Sequence, residues 1–309
     1  MTPLLMTLAV LLDRLLAEPR RWHPLAGFGR LAAWLEQRIY APDRWRGVFA
    51  VALLLLPSTW LAAELVDKLA GLPGLWGGVL SPAFSLLVLY FALGQKCLHD
   101  HVRGSVARHA ETPGIATAAC ETVLENGNHD VFAALFWFLV AGAPGAVLYR
   151  LANALNALWR EPHHREFGWA AAQLDDILNI VPARLTALTY AVLGHTRQAL
   201  DCWRDQAPAW DDPNAGPLLA AAAGALGITL GGRALRHGEW HERPPLGTGA
   251  AAELADIERA LILVRHGVLL WLLVIGLGAL SWWWLGGYAT GYAPAWNGIV
   301  DFMRKYLLA

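Results

Sequence analysis

Four stretches of this chain run without a charged residue for about the length a helix needs to cross a lipid bilayer. They are Gly47–Ala63 with 17 residues, Leu69–Gly94 with 26, Val131–Tyr149 with 19 and Gly267–Val300 with 34. A spanning helix takes about 20 mostly apolar residues. Composition points the same way: 56% of the 309 residues are apolar and 16% are charged, against roughly 45–50% and roughly 25% in soluble domains. The sequence therefore predicts an all-α fold, a polytopic integral membrane helical bundle of four or five transmembrane helices, forming one domain over 1–309.

Charge and motif content remove several function classes. The 24 basic and 25 acidic residues leave a formal charge of -1, so no basic face for nucleic acid is expected. Only three of the basic residues are lysines, Lys68, Lys96 and Lys305, and none follows a glycine; a phosphate-binding loop of the G-x-x-x-x-G-K-[ST] kind is absent. Cys97, Cys120 and Cys202 are far apart and odd in number, which favours structural thiols over disulfides or a paired-cysteine metal site. Of His99-x-His101, His163-His164 and His237-x-x-x-His241, the last has i, i+4 spacing, but no HExxH pattern or nearby cysteine pair supports a zinc site. The apolar stretch Thr2–Leu12 is followed by Asp13-Arg14 and Glu18-Pro19 rather than a small-residue cleavage site, so it reads as a retained membrane helix.

Arg20, Arg21, Arg30, Arg38, Arg44 and Arg46 crowd the first loop, which places it on the cytoplasmic side. Two spans then bring the chain back near Gln95, and residues 95–130 share that side. The third run is interrupted by Gly142-Ala-Pro144-Gly145. Such a break produces a kinked span or a re-entrant hairpin of two half-helices; the hairpin keeps the polar residues before and after it on one side. Leu185–Leu193 and Asn214–Leu230 are weaker segments, the second rich in the small residues that let helices approach closely. Trp282-Trp283-Trp284 resembles an interfacial anchor, and the polar stretches 194–214 and 233–259 read as loops and amphipathic surface helices on the cytoplasmic side.

Three polar clusters lie beside these apolar runs. The first is Glu121-Thr-Val-Leu-Glu125-Asn126-Gly127, in which the two glutamates share a helix face at i and i+4 and Gly127 is a natural helix stop. Like charges so spaced repel unless a cation lies between them. The second runs from Phe167-Gly168-Trp169 through Asp175-Asp176 and Asn179 to Pro182-Ala183-Arg184, with Pro182 expected to break the helix. Carboxylates entering an apolar segment mark a site by default; with an amide they suit Mg²⁺, and Arg184 suits a phosphate. The third is Asp13, Glu18-Pro19 and His23-Pro24, where His23 reads as a turn residue or a binding residue. Asn214, ahead of the Ala-rich segment, is placed to cap a helix or to help hold an anion.

Taken together, Glu121 to Asn126, Phe167 to Arg184, Asn214-Ala-Gly216-Pro217, Ala223 to Gly227 and Gly231-Gly232, with the N-terminal motif, resemble the CobD/CbiB family of cobalamin biosynthesis over about residues 10–270. That resemblance implies an adenosylcobinamide-phosphate synthase of the inner membrane with its site facing the cytoplasm. Such an enzyme uses ATP and Mg²⁺ to join adenosylcobyric acid, a corrinoid, to (R)-1-amino-2-propanol phosphate or a related amino alcohol. Its surroundings would be membrane lipid, with a second copy or other membrane proteins of the pathway as partners.

On that reading Asp175 and Asp176 hold magnesium, Asn179 completes the shell, and Arg184 meets phosphate. Glu121 and Glu125 hold a second metal or accept the ammonium proton, with Asn126 orienting them, and His23 and Asn214 contact substrate. Two segments depart from the family: Arg103 to Glu111 replaces a usual Gly-Arg-Asp-Thr, and Asn153-Ala-Leu-Asn156 carries an amide where the family has an acid. The departures leave a second reading, a non-catalytic relative that binds corrinoid, scaffolds, or signals like the distantly similar AmpE proteins.

Overall fold

The structure, a computed structural model, describes residues 1–16, 23–94, 102, 104, 114–160, 164–236 and 239–285. The sequence motifs Glu18 to Arg21, Lys96 to His101, Arg103, Arg108 to Glu111 and Glu161 to His163, with the end of the last apolar run, lie outside these residues. The helices are α1 (Thr2–Leu15), α2 (Pro24–Ile39), α3 (Arg44–Ala70), α4 (Leu75–Ala92), α5 (Ile115–Gly127), α6 (Ala133–Leu158), α7 (Trp169–Leu193), α8 (Thr196–Gln206), α9 (Ala215–Leu226) and α10 (Leu254–Trp284). Five helical stretches among the described residues are long and apolar enough to cross a membrane: α3, α4, α5 to α6, α7 and α10. The chain is a multi-pass, all-α membrane bundle. α1 is shorter than a span, and α9, the weaker apolar segment, is a buried 12-residue helix.

The described residues form two compact units. One comprises 1–93, 134–178 and 274–309, the other 94–133 and 179–273. In the first, the broken run is resolved as a hairpin. Ala141 and Gly142 leave the helical region, Gly142 at φ 63 and ψ −153, a conformation open to glycine alone. The two arms then attach to nearly the same place on α7: Trp137 Nε1 donates to the Leu178 carbonyl at 3.0 Å, and Asn156 Nδ2 donates to Asp175 at 2.8 Å. In one straight helix residues 137 and 156 would stand about 28 Å apart, whereas 175 and 178 are separated by about 4.5 Å. Only a chain that folds back at Gly142 reconciles the two.

Pro182 does not break α7, which continues to Leu193. Proline removes the N–H that would have satisfied the carbonyl four residues earlier, and that carbonyl, Leu178, is the one that Trp137 serves. The hairpin thus supplies the bond that the proline removes. The same unit explains Gly47 and Gly168 by close approach. A Cβ at Gly47 would lie 2.0 Å from the Phe167 carbonyl oxygen, and one at Gly168 2.3 Å from that of Trp159.

Gly127 does not end α5. The chain passes through a π-helical turn, Asn128–Phe132, straight into α6. A Cβ at Gly127 would meet Val264 at 2.8 Å and the Tyr190 hydroxyl at 2.9 Å, so the glycine serves packing rather than termination. Small residues also let α9 pack against α8: a Cβ at Gly224 would lie 2.8 Å from the Ala199 backbone. The polar stretch after α9 is not helical. It forms an antiparallel hairpin, β1 (Thr229–Arg236) and β2 (Glu239–Gly247), whose register slips between Leu230 and Gly232. Gly231 sits at that irregularity with φ 82, as a β-bulge favours.

Replacing Trp137 with Phe keeps the ring but leaves the Leu178 carbonyl unserved. The expected cost is about 1–3 kcal/mol of stability, read as a lowered unfolding midpoint in detergent; a variant as stable as the parent would show that another group satisfies the carbonyl.

Candidate functional site

The hairpin delivers two amides to one carboxylate. Asn153 and Asn156 stand one turn apart on the second arm of α6, and Asp175 stands on the facing turn of α7. Asn153 Nδ2 donates to Asp175 Oδ1 at 3.3 Å and Asn156 Nδ2 to Oδ2 at 2.8 Å. Asp175 is only 3% exposed. A carboxylate withdrawn so far from water requires N–H donors, each worth about 1.5–3 kcal/mol to a charged acceptor. Asp176 is half-buried beside it, and Asn179 is buried one turn further along the same helix.

The start of α7 is pinned from the α2 side of this unit. Glu36 accepts from Trp159 Nε1 at 3.0 Å and pairs with His164 Nε2 at 2.6 Å, while the Tyr40 ring meets His164 edge-on at 5.3 Å. Arg44 pairs with Glu166 at 2.6 Å and its guanidinium lies over the Trp169 ring at 5.3 Å. These contacts hold Phe167-Gly168-Trp169, and with it the register of Asp175. Nothing local in the sequence marks Glu36 or Trp159 as their source. His23 caps α2, its Nδ1 accepting from the Leu25 N–H at 3.2 Å. Burial, and secondarily the Arg150 guanidinium, hold its pKa below the usual value.

In the second unit the two expected phosphate contacts meet. Arg184 donates to the Asn214 side-chain oxygen and to the Pro213 carbonyl, the latter at 3.0 Å. Asn214 does not cap α9 with its side chain; Asp212 does, accepting from the Asn214 and Ala215 N–H groups at 2.8 and 2.9 Å. Asn128, fully buried in the π-helical turn, donates to Asn179 Oδ1 at 3.1 Å and accepts from Thr186 at 2.9 Å. π-turns of this kind recur at functional sites.

Of the two glutamates, Glu121 finds a cation, a guanidinium from β2. Arg243 grips Glu121 with two N–H bonds of 2.8 and 3.0 Å, and the bulge aims the Gly231 N–H at the same carboxylate at 2.8 Å. The Arg243 guanidinium also lies 5.1 Å from the Trp210 ring centre. Both oxygens of Glu121 are engaged, so the residue ties α5 to the β-hairpin rather than presenting an open ligand. Glu125 and Asn126 are half-buried on the next turn.

No three His, Cys, Asp or Glu side chains converge among the described residues. Magnesium that arrives on phosphates asks for less, commonly one or two carboxylates with water and phosphate oxygens completing the octahedron. Asp175 and Asp176 are donors of the kind that limited requirement asks for.

Fold and clusters together define a polytopic helical membrane protein built around buried amides and carboxylates with half-buried arginines. Comparison with known proteins narrows that class. Residues 6–114 and 106–264 match the family described as CobD/Cbib protein. The chain is 52% identical over 298 residues to the cobalamin biosynthesis protein CobD of Stutzerimonas stutzeri, covering 87% of this chain and 95% of the relative. It is 50% identical over 301 residues to the CobD of Chromobacterium violaceum, covering 87% and 94%, and 36% identical over 284 residues to that of Mycobacterium tuberculosis, covering 82% and 88%. The chain belongs to the CobD/CbiB family of cobalamin biosynthesis proteins. No solved structure matches it.

Removing Arg243 by Arg243→Met strands a carboxylate that is 9% exposed in its side chain; the expected cost is about 3–5 kcal/mol. The double variant with Glu121→Gln is expected to recover much of that, and additive losses would contradict the pairing. His23 is expected to make stability fall as pH drops below about 6.5, because the unfolded chain takes up a proton there before the folded one does. His23→Asn, which keeps a cap acceptor, flattens that slope in pH-dependent melting; an unchanged slope would assign it to another group.

Proposed function

We propose that this protein is an ATP-dependent acid–amine ligase, an adenosylcobinamide-phosphate synthase. It joins the amine of (R)-1-amino-2-propanol phosphate, or a related amino alcohol, to a propionate of adenosylcobyric acid, in the inner membrane and from the cytoplasmic side. The observation that carries the reading is Asp175, a carboxylate buried in an apolar helix and held by two side-chain amides next to a second, half-buried carboxylate. Polar groups so placed are costly and mark function. Family membership supplies the pathway.

The chemistry sets the requirements. The corrinoid carboxylate must first be converted to a phosphorylated or adenylated acyl group, which the amine then attacks, expelling phosphate or nucleotide as the C–N bond forms. Asp175 and Asp176, with Asn179, would hold Mg²⁺, which supplies neutralisation of the nucleotide phosphates. Asn153 and Asn156 fix the Asp175 carboxylate, and Asn128 fixes the Asn179 amide. Arg184, already beside Asn214 and the start of α9, binds a phosphate by exchanging its bonds to Asn214 and Pro213. Glu125 takes the proton from the attacking ammonium, since Glu121 is committed to Arg243. Asn126 orients Glu125, and His23, kept neutral, contributes a substrate contact.

One observation favours the second reading, a non-catalytic relative that binds corrinoid, scaffolds or signals. Asn156 stands where an acid is expected and uses its amide to bind Asp175. Purified protein given adenosylcobyric acid, Mg²⁺-ATP and aminopropanol phosphate separates the two. The ligase forms an ATP-dependent corrinoid product of higher mass, and Asp176→Asn lowers turnover by at least about 100-fold with an unchanged melting curve. Absence of product with corrinoid still bound, or unaltered turnover in Asp176→Asn, would respectively favour the second reading or remove Asp176 from the site.

A further inference from the structure

The first unit holds a partly open cavity of about 390 Å³ walled by α2, α3, α4 and the second arm of α6, within the range of about 300–1,000 Å³ typical of small-molecule sites. Its wall is hydrocarbon almost throughout. Ser58 is its one hydroxyl, and that donates to the Leu54 carbonyl of its own helix at 2.7 Å. A single charged side chain, Arg150, joins the lining.

The apolar and charged parts are sorted by depth. On α6, Ala146 and Val147 lie nearer the hairpin apex at Gly142, and Arg150 lies one turn further toward the end of the arm at Leu158. On α4, Phe84 lies two turns inside the helix, whereas Phe91 stands at its last turn, where the His23 ring meets it edge-on at 5.4 Å. Both α3 and α4 are candidate spans. The cavity therefore runs from a deep hydrocarbon end to an outer end that carries a guanidinium, and it does so within the apolar layer. A small, fully polar substrate would bury its polar groups against this wall without partners, at several kcal/mol.

We infer that this cavity is a phospholipid site, taking an acyl chain along Phe84, Ala146 and Val147 and the phosphate of an anionic headgroup on Arg150. Basic pockets between membrane helices hold anionic lipids by this combination of charge and apolar contact. A bound chain fills the gap between α4 and the hairpin arm and so steadies the arm that carries Asn153 and Asn156.

The test uses the full-length protein, delipidated in a neutral detergent. Phosphatidylglycerol or phosphatidylcholine is added, bound lipid is counted by native mass spectrometry, and unfolding is followed by melting. Phosphatidylglycerol is expected to be retained about fivefold better than phosphatidylcholine, the effect of one basic residue on an anionic lipid, and to raise the melting temperature more. Arg150→Gln should erase that preference and Arg150→Lys keep it, while Val147→Trp should lower retention of both lipids by filling the deep end. Equal retention of the two lipids by the parent, a preference that survives Arg150→Gln, or the same protection by inorganic phosphate alone would each overturn the inference. Should Arg150→Gln fail to fold, Val147→Trp decides, and undiminished lipid binding there would overturn it as well.

Discussion

A polar group carried out of water must find its partner inside the protein, and the first unit is organised by that requirement. Two groups on α7 need serving: the Leu178 carbonyl, released by Pro182, and the Asp175 carboxylate. The two arms of the α6 hairpin serve one each, through Trp137 and through Asn153 with Asn156. Either arm alone would leave a buried acceptor without a donor, at about 1–3 kcal/mol for the carbonyl and more for the charge. The reversal at Gly142 is therefore coupled to the chemistry on α7: the turn that permits the hairpin also determines which donors surround Asp175.

The second unit solves the same problem with charge. Glu121 is neutralised by Arg243 from a strand more than a hundred residues later, and the β-bulge at Gly231 contributes a third donor. α9 requires no such device, because it is nearly all alanine, leucine and glycine and buries every side chain from Gly216 to Leu226. Its small residues purchase close approach instead, against Ala199 on α8. Arg184 and Asn214 meet at the start of α9, so the residues most suited to a phosphate stand on the polar border of an apolar core.

Much of this was legible in the residues themselves. Uncharged runs of 17 to 34 residues leave few options besides spanning helices, and Gly142-Ala-Pro144-Gly145 marks the reversal because only such residues interrupt a helix there. The burial of Asp175 and Asn179 follows from polar residues set in apolar surroundings, whereas the pairing of Arg184 with Asn214 has no local sign in the sequence. Other features depend on partners distant in sequence. Pro182 looks like a helix end until Trp137, from another helix, replaces the missing bond, and Gly127 looks like a cap until Tyr190 and Val264 are seen against it. The β-hairpin escapes a reading by periodicity because Gly231-Gly232 and Pro244-Pro245 interrupt its alternation. Arg243 carries no local sign that its carboxylate is Glu121.

The hairpin also fixes which face of the membrane receives the residues after it. Arg44, at the start of α3, pairs with Glu166, just before α7, so both ends belong to one face. The turn between α3 and α4, at Gly74, belongs to the other, since α3 separates them. Single cysteines at Asp43, Gly74 and Glu166, in a background with Cys97, Cys120 and Cys202 replaced, can be challenged with a membrane-impermeant maleimide in vesicles of known orientation. A re-entrant hairpin predicts that Asp43→Cys and Glu166→Cys react from the same face and Gly74→Cys from the opposite one. Labelling of Glu166→Cys together with Gly74→Cys would mean that the 133–158 segment crosses the bilayer, and the arrangement of amides around Asp175 would have to be abandoned.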